Sequence, residues 1–290
     1  MELAARLPDE VERNVAAALA EDIGSGDLTA LLTPAGQPAR GIVVSREEAV
    51  LCGTAWFDAC FRRLDAQARI RWHAADGARI HAGGVVCEAG ADRGAGLPAE
   101  GPAVIFGNLL PGAPAATRKY VDAVAGTRTK IVDTRKTLPG LRLAQKYAVR
   151  CGGGANHRLG LYDGILIKEN HIMAAGGVAP ALAQAGKLAP EGGFIQIEVE
   201  TLEQLGEALA AGAKMILLDN MDLTQMRKAV ALAAGRAVLE ASGGVDLSKV
   251  RAIAETGVDR ISIGSLTKDV RAVDLSLRHV ERPSGLPGQG

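Results

Sequence analysis

Apolar residues recur at three- and four-residue spacings over residues 9–22, so Val11, Val15, Ala18, Leu19 and Ile23 predict an amphipathic helix closed by the Gly24-Ser25-Gly26 turn. Between about residues 28 and 98 the period shortens to β-prone runs, at 41–45, 68–72 and 85–87, around one helical stretch near 54–64. That mixture is α+β in character. From about residue 130 a single pattern repeats: a short apolar strand, a polar residue at its C-terminal end, then a helical stretch. The predicted strands are 130–134, 164–168, 194–198, 215–219, 237–240 and 260–264, with helices over 202–211, 223–234 and 247–255. Alternating βα units with nearly continuous apolar strands indicate a parallel sheet covered by helices.

Six such units are fewer than the eight of a complete (β/α)₈ barrel, so either the barrel is incomplete or further strands are hidden. A doubly wound open sheet would follow the same pattern. The barrel is favoured because its strands end in side chains able to converge at one mouth: Lys168, Glu198, Asp219, Glu240 followed by Ser242, and Ser265. The predicted fold is therefore α/β, with an N-terminal α+β sandwich domain over 1–115, completed by about 272–290, and an incomplete parallel α/β barrel over 116–271. A length of 290 residues suits two such domains.

Charge then narrows the partners. Thirty-three Lys and Arg balance thirty-three Asp and Glu, and only nine residues are aromatic, which argues against a nucleic-acid binder. The N-terminus lacks the apolar core of a signal peptide, and the apolar stretch at 172–185 is too short to span a bilayer and contains Pro180. The expectation is a cytoplasmic protein with no membrane partner. Cys52, Cys60, Cys87 and Cys151 show no CxxC spacing and no clustering with histidine, so neither a zinc site nor a disulfide framework is expected, and the thiols are expected buried and reduced.

Five groups of residues carry candidate chemistry. Arg135 and Lys136, just past the first barrel strand, fit either a solvated loop or a clamp for carboxylates and phosphates. Gly152, Gly153 and Gly154 before Asn156, His157 and Arg158 fit an inert linker or a loop shaped for close approach to a ligand. Lys168 fits this cationic group, and, if desolvated, Schiff-base chemistry. Glu198 and Asp219, on successive strand ends, fit structural ion pairs or a Mg²⁺ site shared with substrate phosphates. Ser242, Gly243 and Gly244 after the fifth strand, with Gly264 and Ser265 after the sixth, sit where barrels often bind phosphate. The sum is a pocket for a strongly anionic phosphosugar and a second anionic reactant.

The succession DTRKTLPGLR, KYAVRCGGGANHRLGLYDGILIKENHI, IEVETLEQL, ILLDNM, LEASGGV and ISIGSLTK closely resembles the quinolinate phosphoribosyltransferase family, the carboxylating nicotinate-nucleotide pyrophosphorylases. The resemblance covers most of residues 118–277, with support from EDIGSGDLTA at 21–30. It implies transfer of phosphoribose from phosphoribosyl pyrophosphate to quinolinate with loss of CO₂, for NAD biosynthesis, using Mg²⁺ and no organic cofactor. It further implies a homodimer, possibly within a higher oligomer, with active sites at the interface. By the same resemblance Arg135, His157, Arg158 and Lys168 face the quinolinate carboxylates. Lys136 lies near pyrophosphate and acts in catalysis with Glu198 and Asp219, which hold the metal. Ser242, Gly243, Gly244, Gly264 and Ser265 lie near the 5′-phosphate.

The chain departs from the family pattern in two places, the segment 100–117 and Lys268. Relatives open a helix with Glu-Arg and carry Leu-Asn within it, where this chain has Glu100-Gly101 and Ile105, and Pro111 and Pro114 stand where that helix is expected to continue. The missing arginine is one that reaches across the dimer to the substrate. Lys268 stands where histidine is common. These departures leave one alternative to the enzyme, an impaired paralogue acting as a binding or partner subunit, and Lys168 at its strand end leaves another, a Schiff-base aldolase.

Overall fold

The computed structural model describes residues 3–32, 38–190 and 192–280. In chain order its first elements are α1 (Leu3–Ile23), a 3₁₀ turn at Ala30–Leu32, β1 (Pro38–Ser45), β2 (Ala49–Val50), α2 (Thr54–Leu64), β3 (Arg69–Trp72), β4 (Arg79–Ile80), β5 (Val85–Asp92) and α3 (Arg93–Leu109). Next come α4 (Gly112–Ala123), β6 (Lys130–Val132), α5 (Arg142–Cys151), β7 (Gly164–Ile167), α6 (Glu169–Ala175) and α7 (Val178–Leu188). The remainder is β8 (Phe194–Val199), α8 (Leu202–Ala210), β9 (Met215–Asp219), α9 (Leu223–Ala233), β10 (Val238–Ser242), α10 (Val250–Ala254), β11 (Arg260–Ser262), α11 (Ser265–Lys268) and β12 (Leu275–His279).

These elements form two compact units. The first contains the chain up to Ala115, the segment Leu143–Cys151, and the chain from Val270 onward. Its main sheet is antiparallel, in the order β12-β1-β5-β3, with a register shift between Val43 and Val44. Strand β12 pairs residue for residue with β1, from Gly41 opposite His279 to Ser45 opposite Leu275. Of the segment expected to complete this domain, 281–290 lie outside the described residues. Helix α1 buries Val11, Val15 and Leu19, the stripe that its sequence period predicts. Trp56 of α2 is 1% exposed and its indole N–H donates to Asn14 Oδ1 at 3.1 Å, which satisfies the one polar atom that burial would otherwise strand.

The segment around Pro111 and Pro114 folds as two helices rather than one. Helix α3 ends with Leu110 N–H donating to the Phe106 carbonyl, and the Pro111 carbonyl then accepts from Ala115 to open α4. Pro111 and Pro114 therefore sit at the start of α4, where the missing N–H has no helical partner to lose. At that junction Gly112 approaches the Arg271 carbonyl so closely that a Cβ would collide with it. Gly112→Ala is expected to cost about 1–3 kcal/mol by overpacking. A urea midpoint equal to that of the unsubstituted protein would refute this.

The second unit, Ala116–Arg142 with Gly152–Asp269, holds a six-stranded sheet in the order β6-β11-β10-β9-β8-β7. All its neighbours are parallel. From β7 to β11 each strand lies beside its predecessor, so the crossovers all run in one sense and right-handed connections put their helices on one face. By register Ile131, Ile197, Ile216, Leu218, Leu239 and Ile261, each at most 2% exposed, share one face of the sheet, and Gln196, Glu198, Leu217 and Glu240 share the opposite one. The first strand pairs with the last, and no ladder joins β6 to β7. At that opening the chain makes an isolated parallel bridge, Val132 to Ala155, with Ala155 N–H donating to Ile131. This is the incomplete barrel that the repeating pattern predicts.

Two boundaries differ from the sequence prediction. Strand β10 continues to Ser242, which makes Glu240 a mid-strand residue that is fully buried, with Arg260 Nε 3.3 Å from one carboxylate oxygen and His157 Nε2 3.8 Å from the other. It is a core ion pair, not a strand-end side chain. Helix α10 begins only at Val250, because the Asp246 carboxylate accepts from the Ser248 and Lys249 N–H groups and holds 246–249 as a capping turn. No helix among the described residues is long and apolar enough to cross a membrane.

Candidate active site

Within the second unit, the C-terminal ends of the parallel strands surround a cavity of about 510 Å³. Lys136, Lys168, Glu198, Asp219, Ser242, Gly243, Gly244, Gly264 and Ser265 all line it. Each is fixed by its strand end. The Lys136 N–H donates to Thr134 Oγ1 at 3.1 Å and its carbonyl accepts from the Thr267 hydroxyl at 2.6 Å. Gly264 lies under the lysine stem, since a Cβ there would stand 3.3 Å from Lys136 Cδ. Lys168 follows β7 and caps α6, with Nζ 3.0 and 3.2 Å from the two carboxylate oxygens of Glu198.

Asp219 closes β9 and accepts from the Asn220 amide at 2.9 Å. Asn220 then takes a left-handed turn at φ 53°, a conformation asparagine tolerates, and its N–H donates to the Ser242 carbonyl at 3.0 Å. Gly243 follows at φ 102°, where a Cβ would run into Asn220 Oδ1. Glycine is thus required twice over at 243, by conformation and by space. The result is an exposed backbone cradle beside three lysines, Lys136, Lys168 and Lys268, and three acids, Glu198, Asp219 and Asp269. Sequence reasoning missed Thr134 and Asp269, although Thr134 lies inside the segment it singled out. Lys168 is about half exposed and bridged to Glu198, the opposite of the desolvated amine that Schiff-base chemistry needs.

Arg135, His157 and Arg158 are not among the residues lining this cavity. They form a separate cluster in the same unit. Arg158 is 9% exposed, with Nη1 donating to the Gly164 carbonyl at 2.9 Å. Burial, with the neighbouring Arg135 guanidinium as the second cause, pulls its own guanidinium below the usual arginine value. Arg135 Nε is buried without a hydrogen-bond acceptor among the described residues. Two adjacent guanidiniums, one with an unmet donor, make a place where an anion would be strongly favoured.

His157 turns inward. Its Nδ1 accepts from the Arg158 N–H at 2.8 Å, so the remaining proton sits on Nε2, which lies 2.7 Å from Gln196 Oε1. Asp133, at the end of β6, holds the approach to it by accepting from the His157 N–H at 2.8 Å and the Asn156 amide at 2.6 Å. Both ring nitrogens therefore have partners within the fold, and Nδ1 fixes the Arg158 backbone.

The family model described as quinolinate phosphoribosyl transferase, C-terminal domain, matches residues 114–278, and that of the N-terminal domain matches residues 27–105. The chain is 41% identical over 257 residues to a probable carboxylating nicotinate-nucleotide pyrophosphorylase of Bacillus subtilis, covering 89% of each chain. It is also 41% identical over 279 residues to the corresponding Mycobacterium leprae protein, covering 93% of this chain and 97% of that one. Among solved structures, the nicotinate-nucleotide pyrophosphorylase of Francisella tularensis superposes with a TM-score of 0.91 at 43% identity, over 94% of this chain and 96% of that one.

Proposed function

Because the chain belongs to the quinolinate phosphoribosyltransferase family, we propose that it transfers phosphoribose from phosphoribosyl pyrophosphate to quinolinate and releases pyrophosphate and CO₂. The observation that carries this reading is the pairing of an anion-seeking guanidinium cluster with a strand-end cavity that holds both cations and carboxylates. One is suited to a dicarboxylic acid, the other to a pyrophosphorylated sugar. The first unit is taken as the N-terminal domain and the second as the transferase domain.

In this reading Arg135 and Arg158 clamp the quinolinate carboxylates, with His157 setting the Arg158 backbone, and Lys168 supplies a further cation. The glycine cradle at 243, 244 and 264, with Ser242 and Ser265, takes the 5′-phosphate through backbone N–H groups. Holding the ring nitrogen against ribose C1 makes the displacement effectively intramolecular. The C1–N bond forms as the C1–O bond to pyrophosphate breaks, and Lys136 neutralises the departing group while Glu198 and Asp219 stabilise positive charge on the ribose. The C2 carboxylate then leaves as CO₂, its electron pair held beside the quaternised ring nitrogen until a proton replaces it.

The oxygen donors fit Mg²⁺: Glu198 and Asp219 face one cavity, and hard cations of this kind take one or two carboxylates together with substrate phosphates. When bound, the ion would neutralise the pyrophosphate. The active assembly is a homodimer, a reading supported by the 81%, 79% and 83% exposure of Leu28, Leu31 and Leu32. All four cysteines are free thiols, which suits a reducing cytoplasm.

Incubation with quinolinate, phosphoribosyl pyrophosphate and Mg²⁺ is expected to release one CO₂ per pyrophosphate. Absence of both products at high enzyme concentration would overturn the proposal.

A further inference from the structure

Outside the barrel, the first unit brings together three side chains that the sequence keeps far apart. Cys52 precedes α2, Asp76 lies in the turn between β3 and β4, and Cys151 is the last residue of α5. The two sulfurs and a carboxylate oxygen all lie within 4.8 Å of one another. We propose that Cys52, Cys151 and Asp76 form a binding site for a thiophilic divalent cation of the Zn²⁺ type, with water as fourth ligand.

The donor set is the first argument. Two thiolates and one carboxylate match the ligands zinc takes, and sulfur selects it over the hard ions that suit Glu198 and Asp219. Tetrahedral bonds of about 2.3 Å to sulfur place two sulfurs about 3.8 Å apart, so the cluster must contract by no more than about 1 Å. Cys52 and Cys151 already face each other with their sulfurs within 4.8 Å. On binding, both thiol protons pass to solvent as two S–metal bonds form, with no change of oxidation state.

The outer shell is the second argument. The Tyr147 hydroxyl donates to Asp76 Oδ2 at 2.8 Å, the Gly53 N–H reaches the same oxygen at 3.2 Å, and the Thr54 N–H reaches Oδ1 at 3.3 Å. Metal-ligating carboxylates are oriented by hydrogen bonds of this kind. Asp76 also caps the start of α2, for which Gly53 has no side chain to offer, but that role leaves Oδ1 a lone pair and makes no use of the thiols. Cys52 is 1% exposed whereas Asp76 and Cys151 are half-buried, so the cluster has a closed floor and an accessible side for the cation and its water. Among the described residues no such group gathers at the other two cysteines, and burial pushes the thiols of Cys60 and Cys87 up to about 12.

The test uses the full reduced chain and Co²⁺ as a spectroscopic probe for Zn²⁺. One equivalent of Co²⁺ is expected to give a near-ultraviolet sulfur-to-metal band that Zn²⁺ displaces and Mg²⁺ does not. Cys151→Ser should lose at least 100-fold in affinity. Tyr147→Phe should keep the band but bind roughly 10–100-fold more weakly, the signature of an outer-shell partner. X-ray absorption of the Zn²⁺-loaded unsubstituted protein should count two sulfurs, a reading that needs no variant to fold. A missing band, a band unchanged in Cys151→Ser, or fewer than two sulfurs on zinc would each overturn the site.

Discussion

Arg135→Met is expected to lower kcat/KM for quinolinate by about 10²–10⁴-fold while leaving the melting temperature unchanged or raised. The loss follows from the anion clamp: each charged hydrogen bond to a carboxylate contributes about 1.5–3 kcal/mol, and a guanidinium fork makes two. Every 1.4 kcal/mol is about tenfold. The stability half follows from what Arg135 does in the absence of substrate. Its Nε is buried without an acceptor among the described residues, and its charge is one of the causes that depress Arg158. Removing it relieves a repulsion inside the protein while it removes an attraction to substrate.

Arg158 does not offer the same separation, because its Nη1 also satisfies the Gly164 carbonyl and its loss would cost fold and function together. Arg135→Lys is the informative companion. It keeps the charge but not the planar fork, so at least about a tenfold loss should remain. Steady-state kinetics with thermal melts decide the matter, and full activity in Arg135→Met would remove the clamp from the mechanism.

How far the sequence discloses this site depends on how local each signal is. Strands β8 and β9 could be read because a run such as Met215–Asp219 is apolar until its last residue, and the residue that breaks the run faces the mouth. The same rule misplaced Glu240. A buried carboxylate ends an apolar run just as a mouth-facing one does, and only its partner Arg260, twenty residues on and opposite it in register, reveals the difference. A histidine next to an arginine likewise gives no hint that Gln196 takes its other nitrogen.

Strand β12 has no strong period of its own and exists because β1, more than 230 residues earlier, offers an edge. The two prolines illustrate the reverse error. Their cost in a helix interior is real, but the break they impose is at the junction where α3 gives way to α4, so neither pays it. The cluster of Cys52, Asp76 and Cys151 lay beyond sequence reasoning altogether, because spacing rules for metal ligands see only neighbours in the chain.

Gly101→Arg is expected to raise both stability and activity, for separable reasons. Gly101 lies inside α3, where replacing glycine by a good helix former contributes up to about 1 kcal/mol. Space is available at small cost: a Cβ would stand 2.9 Å from Asp22 Oδ2, and Asp22 is an exposed side chain that can swing aside. Gly101→Ala should therefore capture the stability gain alone. The activity gain belongs to the guanidinium, which the family resemblance leads one to expect here as a contact to substrate across the dimer. One such contact corresponds to about ten- to over a hundredfold in quinolinate affinity.

Asp22 complicates the comparison in a useful way. With its carboxylate beside position 101, a new arginine has a competing partner within its own chain, so part of its binding energy goes to breaking that pair. Adding Asp22→Ala to Gly101→Arg should then lower KM further, whereas Asp22→Ala alone should not. If Gly101→Arg melts higher than the unsubstituted protein yet matches Gly101→Ala in kcat/KM, the arginine is not a missing substrate contact, and this chain binds quinolinate without one.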